Sequence, residues 1–205
     1  MKAMVLRQPA PIEEKPLEPR DVKAPEPAEG EVLLRVLMCG VCRTDLHIAE
    51  GDLAPHRDEV IPGHQIVGVV EKTGPGVNEY RGGERVGVTW LYSSCGECEF
   101  CTAGRENLCD DARFTGYDAH GGYAEYVTVP ASFAHPMPED LEPGRAAPLL
   151  CAGVIGYRSL KLSDIKPGGR LGLYGFGASA HVVIQVARYW NCEVYVFTRS
   201  ENHRR

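Results

Sequence analysis

Four cysteines in one short segment constrain this chain more than any other feature of its sequence. Cys95, Cys98, Cys101 and Cys109 follow the spacing C-x2-C-x2-C-x7-C. Four thiolates held close together complete the tetrahedral shell of a zinc ion and leave no position open for chemistry. Four cysteines also bind iron–sulfur clusters, and a loose set of thiols is a third interpretation. The spacing favours a structural zinc that stabilises a lobe of residues 93–112.

Composition and the first residues indicate a cytoplasmic protein. No apolar run approaches the ~18 residues that cross a bilayer, and the opening MKAMVLRQPAPIEEKPLEP lacks the apolar segment of a signal peptide. In the cytosol, eight cysteines are expected to be metal ligands or reduced thiols rather than disulfides. The net charge of −6 and the pI near 5.7 provide no basic face for phosphates. We therefore expect no membrane and no nucleic-acid partner.

The first 150 residues carry the pattern of a β-rich domain. Residues 1–30 are rich in proline and glutamate and predict an irregular or edge-strand start. Short apolar runs follow, with Gly/Pro/Asn turns between them: Glu31–Met38, Val60–Glu71, Arg85–Leu91 and a run that closes at Pro130. Several short strands separated by turns predict a barrel-like all-β domain.

The periodicity changes near Leu149, where helical spacing replaces the short β runs. The pattern predicts four elements in order: a helix at Pro148–Leu162, a strand at Leu171–Tyr174, a helix at Ala178–Trp190 and a strand at Cys192–Thr198. The last three form a β-α-β unit, which is the start of a parallel sheet. The chain is therefore expected to be a composite of α+β and α/β parts.

Two further cysteines and a histidine form a second possible metal site. Cys42 lies in CGVCRTDLH, His64 in GHQIVG and Cys151 in APLLCAG. Two thiolates and one imidazole are a zinc pattern that leaves the fourth position open for water or substrate. Taken singly, each residue has a plainer interpretation. His64 could be a core histidine whose hydrogen bonds are satisfied, and Cys151 could be a small buried apolar residue.

A glycine turn follows the strand at Leu171–Tyr174 and precedes the next helix. In this GxGxxA turn, Gly175 makes the turn, Gly177 admits a pyrophosphate and the small Ala180 lets the helix pack closely. The free N–H groups at the helix start would bind the phosphates.

After the next strand, where NAD enzymes place an acid, the chain has Thr198 and Arg199. A cation without an acid favours NADP over NAD, although Arg199 could also lie flat over the adenine.

Taken together, these motifs occur in the order and spacing of the zinc-dependent medium-chain alcohol dehydrogenases, and the chain resembles that family from Met1 to Arg205. The resemblance implies a GroES-like catalytic domain over residues 1–152. An incomplete Rossmann cofactor domain would follow over residues 153–205, as in a C-terminally truncated member.

The resemblance also implies roles for individual residues. Cys42, His64 and Cys151 match the catalytic zinc ligands, and the four-cysteine lobe matches the structural zinc site. Asp45 matches the carboxylate that orients the ligand histidine, and Thr44 with His47 matches the proton relay. Arg43 matches a contact to the cofactor pyrophosphate, and Trp90 matches an aromatic wall of the substrate pocket. Cys39 is not a ligand in that family.

The activity implied by the resemblance is reversible oxidation of a primary or secondary alcohol to an aldehyde or ketone by hydride transfer to NAD(P). The cofactors would be two zinc ions and NADP or NAD, and the parent enzyme would be a homo-oligomer. A catalytically silent zinc-binding fragment and a polyol- or cinnamyl-type sibling are the alternatives. Thr44 and Trp90 favour small primary alcohols. One residue departs from the family pattern, because Gln65 stands where the family has glutamate.

Overall fold

A computed structural model describes residues 1–199, which form two compact units. The N-terminal unit is Met1–Leu150 and the C-terminal unit begins at Cys151. The predicted domains, 1–152 and 153–205, stay a prediction. Among residues 1–199, no helix is long and apolar enough to cross a membrane.

The N-terminal unit is rich in short strands, as its sequence predicts. Its strands are β1 (Lys2–Leu6), β2 (Leu17–Asp21), β3 (Glu31–Gly40), β4 (Gln65–Thr73), β5 (Arg85–Val88), β6 (Leu91–Ser93), β7 (Arg113–Phe114), β8 (Tyr126–Pro130) and β9 (Ala134–Pro136). Its helices are α1 (Arg43–Glu50), α2 (Glu99–Thr102) and α3 (Pro143–Ala146), with 3-10 turns at Ile12–Glu14, Glu106–Leu108, Ala131–Phe133 and Ala147–Leu150.

Five antiparallel strands form the central sheet in the order β8-β3-β4-β5-β9. Alternate residues of these strands point to one face, because successive side chains of a strand face opposite ways. That face builds the main core, with fully buried members Val32, Leu34, Ile66, Val86, Val88, Val127 and Val129. The prediction of a β-rich domain is confirmed, because five of its strands form this one sheet.

Strand boundaries differ from the predicted runs where the backbone changes direction. The run predicted from Val60 becomes a strand only at Gln65, and Val60 instead bridges Leu6 of β1. The run Arg85–Leu91 divides into β5 and β6. The N-terminal start is ordered, because β1 and β2 pair as an antiparallel ribbon.

The C-terminal unit contains the predicted β-α-β arrangement. Its elements are α4 (Ala152–Leu162), β10 (Arg170–Tyr174), α5 (Ala178–Tyr189) and β11 (Glu193–Phe197). Strands β10 and β11 are parallel, and α4 packs on α5 where Gly156 approaches the Ser179 carbonyl. The predicted helix at Pro148–Leu162 is interrupted at Cys151, which is the N-cap of α4. The Rossmann part is thus present as two strands with two helices.

Candidate metal centres

The four lobe cysteines converge on one point. Their sulfurs all lie within 4.8 Å of one another, and none of the four forms a disulfide. The Sγ–Sγ distances are 3.8 Å for Cys95–Cys101, 3.5 Å for Cys98–Cys101 and 3.6 Å for Cys95–Cys109. A zinc–sulfur bond of about 2.3 Å places two tetrahedral thiolates roughly 3.8 Å apart. The lobe therefore has the size of a zinc shell.

Backbone amides prepare the lobe for thiolates. The N–H of Cys98 donates to Cys95 Sγ at 3.4 Å, and the N–H of Cys95 donates to Cys109 Sγ at 3.5 Å. Donation from the amides of Glu97 and Cys98 lowers the pKa of Cys95 to about 7. A thiolate is the form that binds zinc, so these amides favour Cys95 as a ligand. At Cys98, backbone donation acts to lower the pKa, but burial and the neighbouring thiols outweigh it and raise the pKa to about 11.

The second cluster brings together Cys42, His64 and Cys151, whose ligand atoms lie within 4.8 Å of one another. The distance from Cys42 Sγ to His64 Nε2 is 3.4 Å. Strand register brings the first two together: Gly40 at the end of β3 pairs with Gln65 at the start of β4. Cys42 comes just after one strand and His64 just before the other, so both lie at the same end of the pair.

Asp45 connects the two ligands of the N-terminal unit. Its Oδ2 accepts from the backbone N–H of Cys42 at 2.8 Å and so caps α1, while Cys42 Sγ accepts from the Thr44 N–H at 3.4 Å. Its Oδ1 lies 3.4 Å from Nδ1 of His64. Both side chains are buried, with 4% of Asp45 and 1% of His64 exposed. A carboxylate behind a ligand imidazole fixes the tautomer that leaves Nε2 for a metal.

The surroundings of His64 stabilise positive charge. Burial acts to lower the pKa of His64, but the Asp45 carboxylate and the Cys42 thiol outweigh it and raise the pKa to about 9. A zinc ion bound by the two thiolates and the imidazole would supply such a positive charge. The donor set and its electrostatics therefore fit zinc.

Comparison with known proteins agrees with this geometry. Residues 28–139 match the family described as "Alcohol dehydrogenase GroES-like domain". The chain belongs to the medium-chain, zinc-dependent alcohol dehydrogenase family.

Relatives of this family match the chain along its length. The Mycobacterium tuberculosis (strain CDC 1551 / Oshkosh) protein named "Probable alcohol dehydrogenase AdhA" is 52% identical over 100% of this chain and 61% of its own. An alcohol dehydrogenase of Geobacillus stearothermophilus is 45% identical over 92% of this chain and 55% of its own.

A solved zinc- and cobalt-bound thermostable alcohol dehydrogenase of Pyrobaculum aerophilum superposes with a TM-score of 0.89 at 31% identity, covering 98% of this chain and 60% of its own. The chain thus spans about 55–61% of the length of these three relatives.

The other site residues that the family resemblance implies lie around α1 and β6. Arg43 is exposed at the start of α1, and Thr44 follows it, half-buried. The ring of His47 is hydrogen-bonded through Nδ1 to Asp52 Oδ2 at 2.7 Å. Trp90 meets the His64 ring edge-on, with ring centroids 5.0 Å apart. Their roles in this family member stay predictions.

The predicted nucleotide turn lies in the C-terminal unit and is open. Gly175 has φ +91°, and a side chain at Gly175 or Gly177 would meet no atom within 4 Å. Gly177 is the N-cap of α5, and as a glycine it has no side chain that could bond the first amides of that helix. Ala180 is half-buried in the first turn of α5, and Arg199 is exposed after β11, next to the half-buried Thr198. The turn has the space that a dinucleotide-binding member of the family needs.

Sequence reasoning missed three aromatic residues that lie near the second cluster. Phe114 and Tyr117 stack on Trp90, with ring centroids 4.9 Å and 6.1 Å away. Tyr123 packs against Gly63, the residue before His64. The glycine-rich stretch GYDAHGGYAEY contains Tyr117 and Tyr123. Glycines of this kind allow close backbone packing, and that was the signal in the sequence that could have indicated these two residues.

Proposed function

We propose that this chain forms the zinc-binding catalytic part of an alcohol dehydrogenase that reversibly oxidises a primary or secondary alcohol to an aldehyde or ketone with NAD(P). The observation that carries this proposal is the convergence of Cys42, His64 and Cys151, with Asp45 behind the imidazole. Two sulfurs and one nitrogen leave a fourth tetrahedral position for a substrate oxygen. The separate four-cysteine site supplies all four ligands and serves stability.

The chain's own residues have distinct tasks in this reaction. Zinc, when bound, acts as a Lewis acid toward the alcohol or carbonyl oxygen. Cys42, His64 and Cys151 hold it, and Asp45 orients His64. Thr44 and His47 form the route by which the alcohol proton reaches water.

The surroundings of His47 suit the end of that route. Its side chain is 40% exposed, and Asp52 occupies its Nδ1. The bond to Asp52 leaves Nε2 as the nitrogen that takes the proton.

The aromatic side chains beside His64 support a pocket for small alcohols. Trp90, stacked with Phe114 and Tyr117 and edge-on to His64, provides a rigid apolar wall. A rigid wall close to the metal centre favours a short substituent, so small primary alcohols are the proposed substrates. A cinnamyl- or polyol-type preference would show as a higher kcat/KM for those alcohols than for ethanol or 1-propanol.

For the cofactor, we propose that Arg43, Gly175, Gly177 and Ala180 bind the dinucleotide, with Thr198 and Arg199 at its adenosine ribose. An arginine at the end of the strand, where an NAD enzyme has an acid, attracts a 2′-phosphate, which supports NADP. Titration of the protein with NADP+ and NAD+ separates the alternatives. Tighter binding of NADP+ that is lost in Arg199→Ala supports the preference, whereas equal affinities contradict it.

The test of function uses the protein purified from its own cells, at whatever length they make it. We expect two zinc ions per chain and alcohol-dependent reduction of NAD(P)+, both measured beside a Cys42→Ser variant that keeps one zinc and loses turnover. Two zinc ions without any turnover would instead identify a silent zinc-binding module. A single zinc ion would refute the second metal centre. We also propose a cytoplasmic homo-oligomer, which light scattering and cell fractionation check.

A further inference from the structure

A row of aromatic rings connects the loop after α1 to the second metal centre. This loop is residues 51–59, which follow α1 directly. The ring of His56 in the loop packs on Tyr117, with ring centroids 4.4 Å apart. Tyr117 in turn stacks on Trp90 at 6.1 Å, and Trp90 meets the His64 ring edge-on. The 51–59 loop and Trp90 are therefore connected through one side chain, that of Tyr117.

Hydrogen bonds hold the same imidazole at both of its nitrogens. Nδ1 of His56 lies 2.7 Å from Oδ1 of Asp118, and Nε2 lies 3.1 Å from the hydroxyl of Tyr117. That hydroxyl also donates to the carbonyl of Ala54, in the same loop, at 2.6 Å. The loop is thus fastened at two points to two consecutive residues of the segment before β8.

These contacts need a hydrogen on both ring nitrogens of His56. The carbonyl of Ala54 can only accept, so it takes the single hydrogen of the Tyr117 hydroxyl. The ionised carboxylate of Asp118 also only accepts, so Nδ1 must donate to it. The Tyr117 oxygen then has only lone pairs to offer, and Nε2 must donate as well. Both donors are present together only in the charged imidazolium.

Charged groups from three segments face this histidine. Asp118 attracts positive charge, and only 15% of its side chain is exposed. Arg57 in the loop and Arg113 in β7 oppose a further cation, and both guanidinium groups donate to the backbone carbonyl of Asp118. Arg7, just after β1, lines the same small cavity but forms an ion pair with Glu59. The carboxylate of Asp118 is the charge bonded to the imidazole itself, and it favours the protonated ring.

We propose that His56 is a positioning residue, whose charged ring fixes the 51–59 loop to Tyr117 and Asp118 and so holds the aromatic wall at Trp90. The inference rests on the proposed function, because that function makes Trp90 a wall of the substrate pocket. The attached loop binds the proton on His56 more tightly than the detached loop does, so attachment strengthens as pH falls and weakens as pH rises. Histidine is the side chain that changes charge between about pH 5 and 8. The wall is therefore held best at the acidic end of that range.

The test follows the fluorescence of Trp90 in the zinc-loaded full chain against pH. The chain has two tryptophans, so a Trp190→Phe background leaves Trp90 as the single reporter. We expect its emission to titrate between about pH 5 and 8. His56→Gln in this background should abolish the titration, because glutamine donates a hydrogen bond but cannot gain a proton. His181→Gln is the matched control and should keep the titration, since His181 also packs on an aromatic ring, that of Phe176, but lies in the C-terminal unit.

Tyr117→Phe separates attachment by the hydrogen bonds from simple packing. It keeps the ring between His56 and Trp90 and removes only the hydroxyl that accepts from Nε2. Loss of one hydrogen bond changes an equilibrium by about 3- to 10-fold, so the midpoint of the titration should fall by about 0.5 to 1 pH unit. An unchanged midpoint would mean that Tyr117 contributes packing alone and would overturn the inference.

Steady-state kinetics give a second readout, which distinguishes the inference from the proposed function. At pH 6, His56→Gln should raise KM for 1-propanol about 3- to 10-fold with little change in kcat, and at pH 9 the two proteins should have equal KM values. Emission that does not depend on pH, a titration that survives in His56→Gln, or equal KM values at pH 6 overturn the inference and leave the proposed function standing. A titration that depends on His56 in a chain without alcohol oxidation supports the attachment and overturns the proposed function.

Discussion

The two metal centres of this chain are built in opposite ways. The lobe takes its four ligands from one segment, Cys95–Cys109, and surrounds them with backbone amides. The second centre takes its ligands from three distant positions, and a buried carboxylate supports the histidine. Spacing along the chain is sufficient to build the first. Only strand pairing and core packing can build the second.

Under the proposed function, this difference separates a metal that stabilises the fold from a metal that takes part in the reaction. The lobe lies between two very short strands, β6 and β7, so we expect it to depend on its ion for order. The second centre borders an apolar core, since Ile66 and Val67, which follow His64 and Gln65, are fully buried. Losing one metal should therefore cost local structure, and losing the other should cost chemistry.

The largest expected effect is loss of order in the lobe. Structural zinc contributes on the order of 10 kcal/mol to the folding of the segment that binds it. We expect Cys101→Ser to lose one zinc ion and to make Arg105, which lies inside the lobe, rapidly cleavable by trypsin. His64→Ala is the comparison variant and should leave Arg105 protected. Similar protection of Arg105 in wild type and Cys101→Ser would show that the lobe is ordered without its metal.

The next effect concerns chemistry without loss of fold. His64→Ala should retain the lobe zinc, lose the second zinc and reduce kcat/KM at least about a thousandfold, because Lewis-acid stabilisation of several kcal/mol disappears. Zinc content, circular dichroism and alcohol oxidation are measured on the same sample. Turnover near the wild-type value would refute His64 as a ligand.

A smaller effect is expected at the carboxylate. Asp45→Asn keeps an oxygen that can cap α1 but removes the charge beside His64, so zinc affinity at the second centre should fall about 10- to 100-fold. Glu59→Gln is the control, because it removes only an exposed ion pair with Arg7. Competition with a chelator gives both affinities. Equal losses in the two variants would mean that the effect is one of net charge.

The smallest predicted effect is at Gln65, which is 3% exposed and lies against Gly40. Gln65→Glu adds negative charge near the second centre and so opposes loss of the alcohol proton. The apparent pKa that governs alcohol oxidation should rise by about one unit, equivalent to about 1.4 kcal/mol. The pH–rate profile measures it, and Gln65→Asn serves as the uncharged control. An unmoved profile would remove Gln65 from any electrostatic role.

Sequence reasoning succeeded where information was local. The cysteine spacing predicted the lobe, and the apolar periodicity after Leu149 predicted the β-α-β arrangement. Family resemblance brought Cys42, His64 and Cys151 together, which no spacing rule could do. The break at Cys151 within a predicted helix was missed, because a short 3-10 turn has the same apolar pattern as a helix.

The aromatic residues near the second centre were missed for another reason. Phe114 and Tyr117 reach Trp90, and Tyr123 reaches Gly63, through folding of the segment from β7 to β8. That approach depends on tertiary contacts across Gly63, Gly116 and Gly121 rather than on periodicity. No local motif encodes it.

The pairing of Gly40 with Gln65 has a consequence for folding fidelity. Strand β3 contains two irregularities in its register with β4, between Leu33 and Leu34 and between Val36 and Met38. A slip by one residue would invert the facing of every side chain and separate Cys42 from His64. Zinc capture at this centre thus selects chains whose strands are aligned correctly. Zinc retention at this centre therefore reports correct strand register, because a chain with misaligned strands cannot bring Cys42 and His64 together to bind the metal.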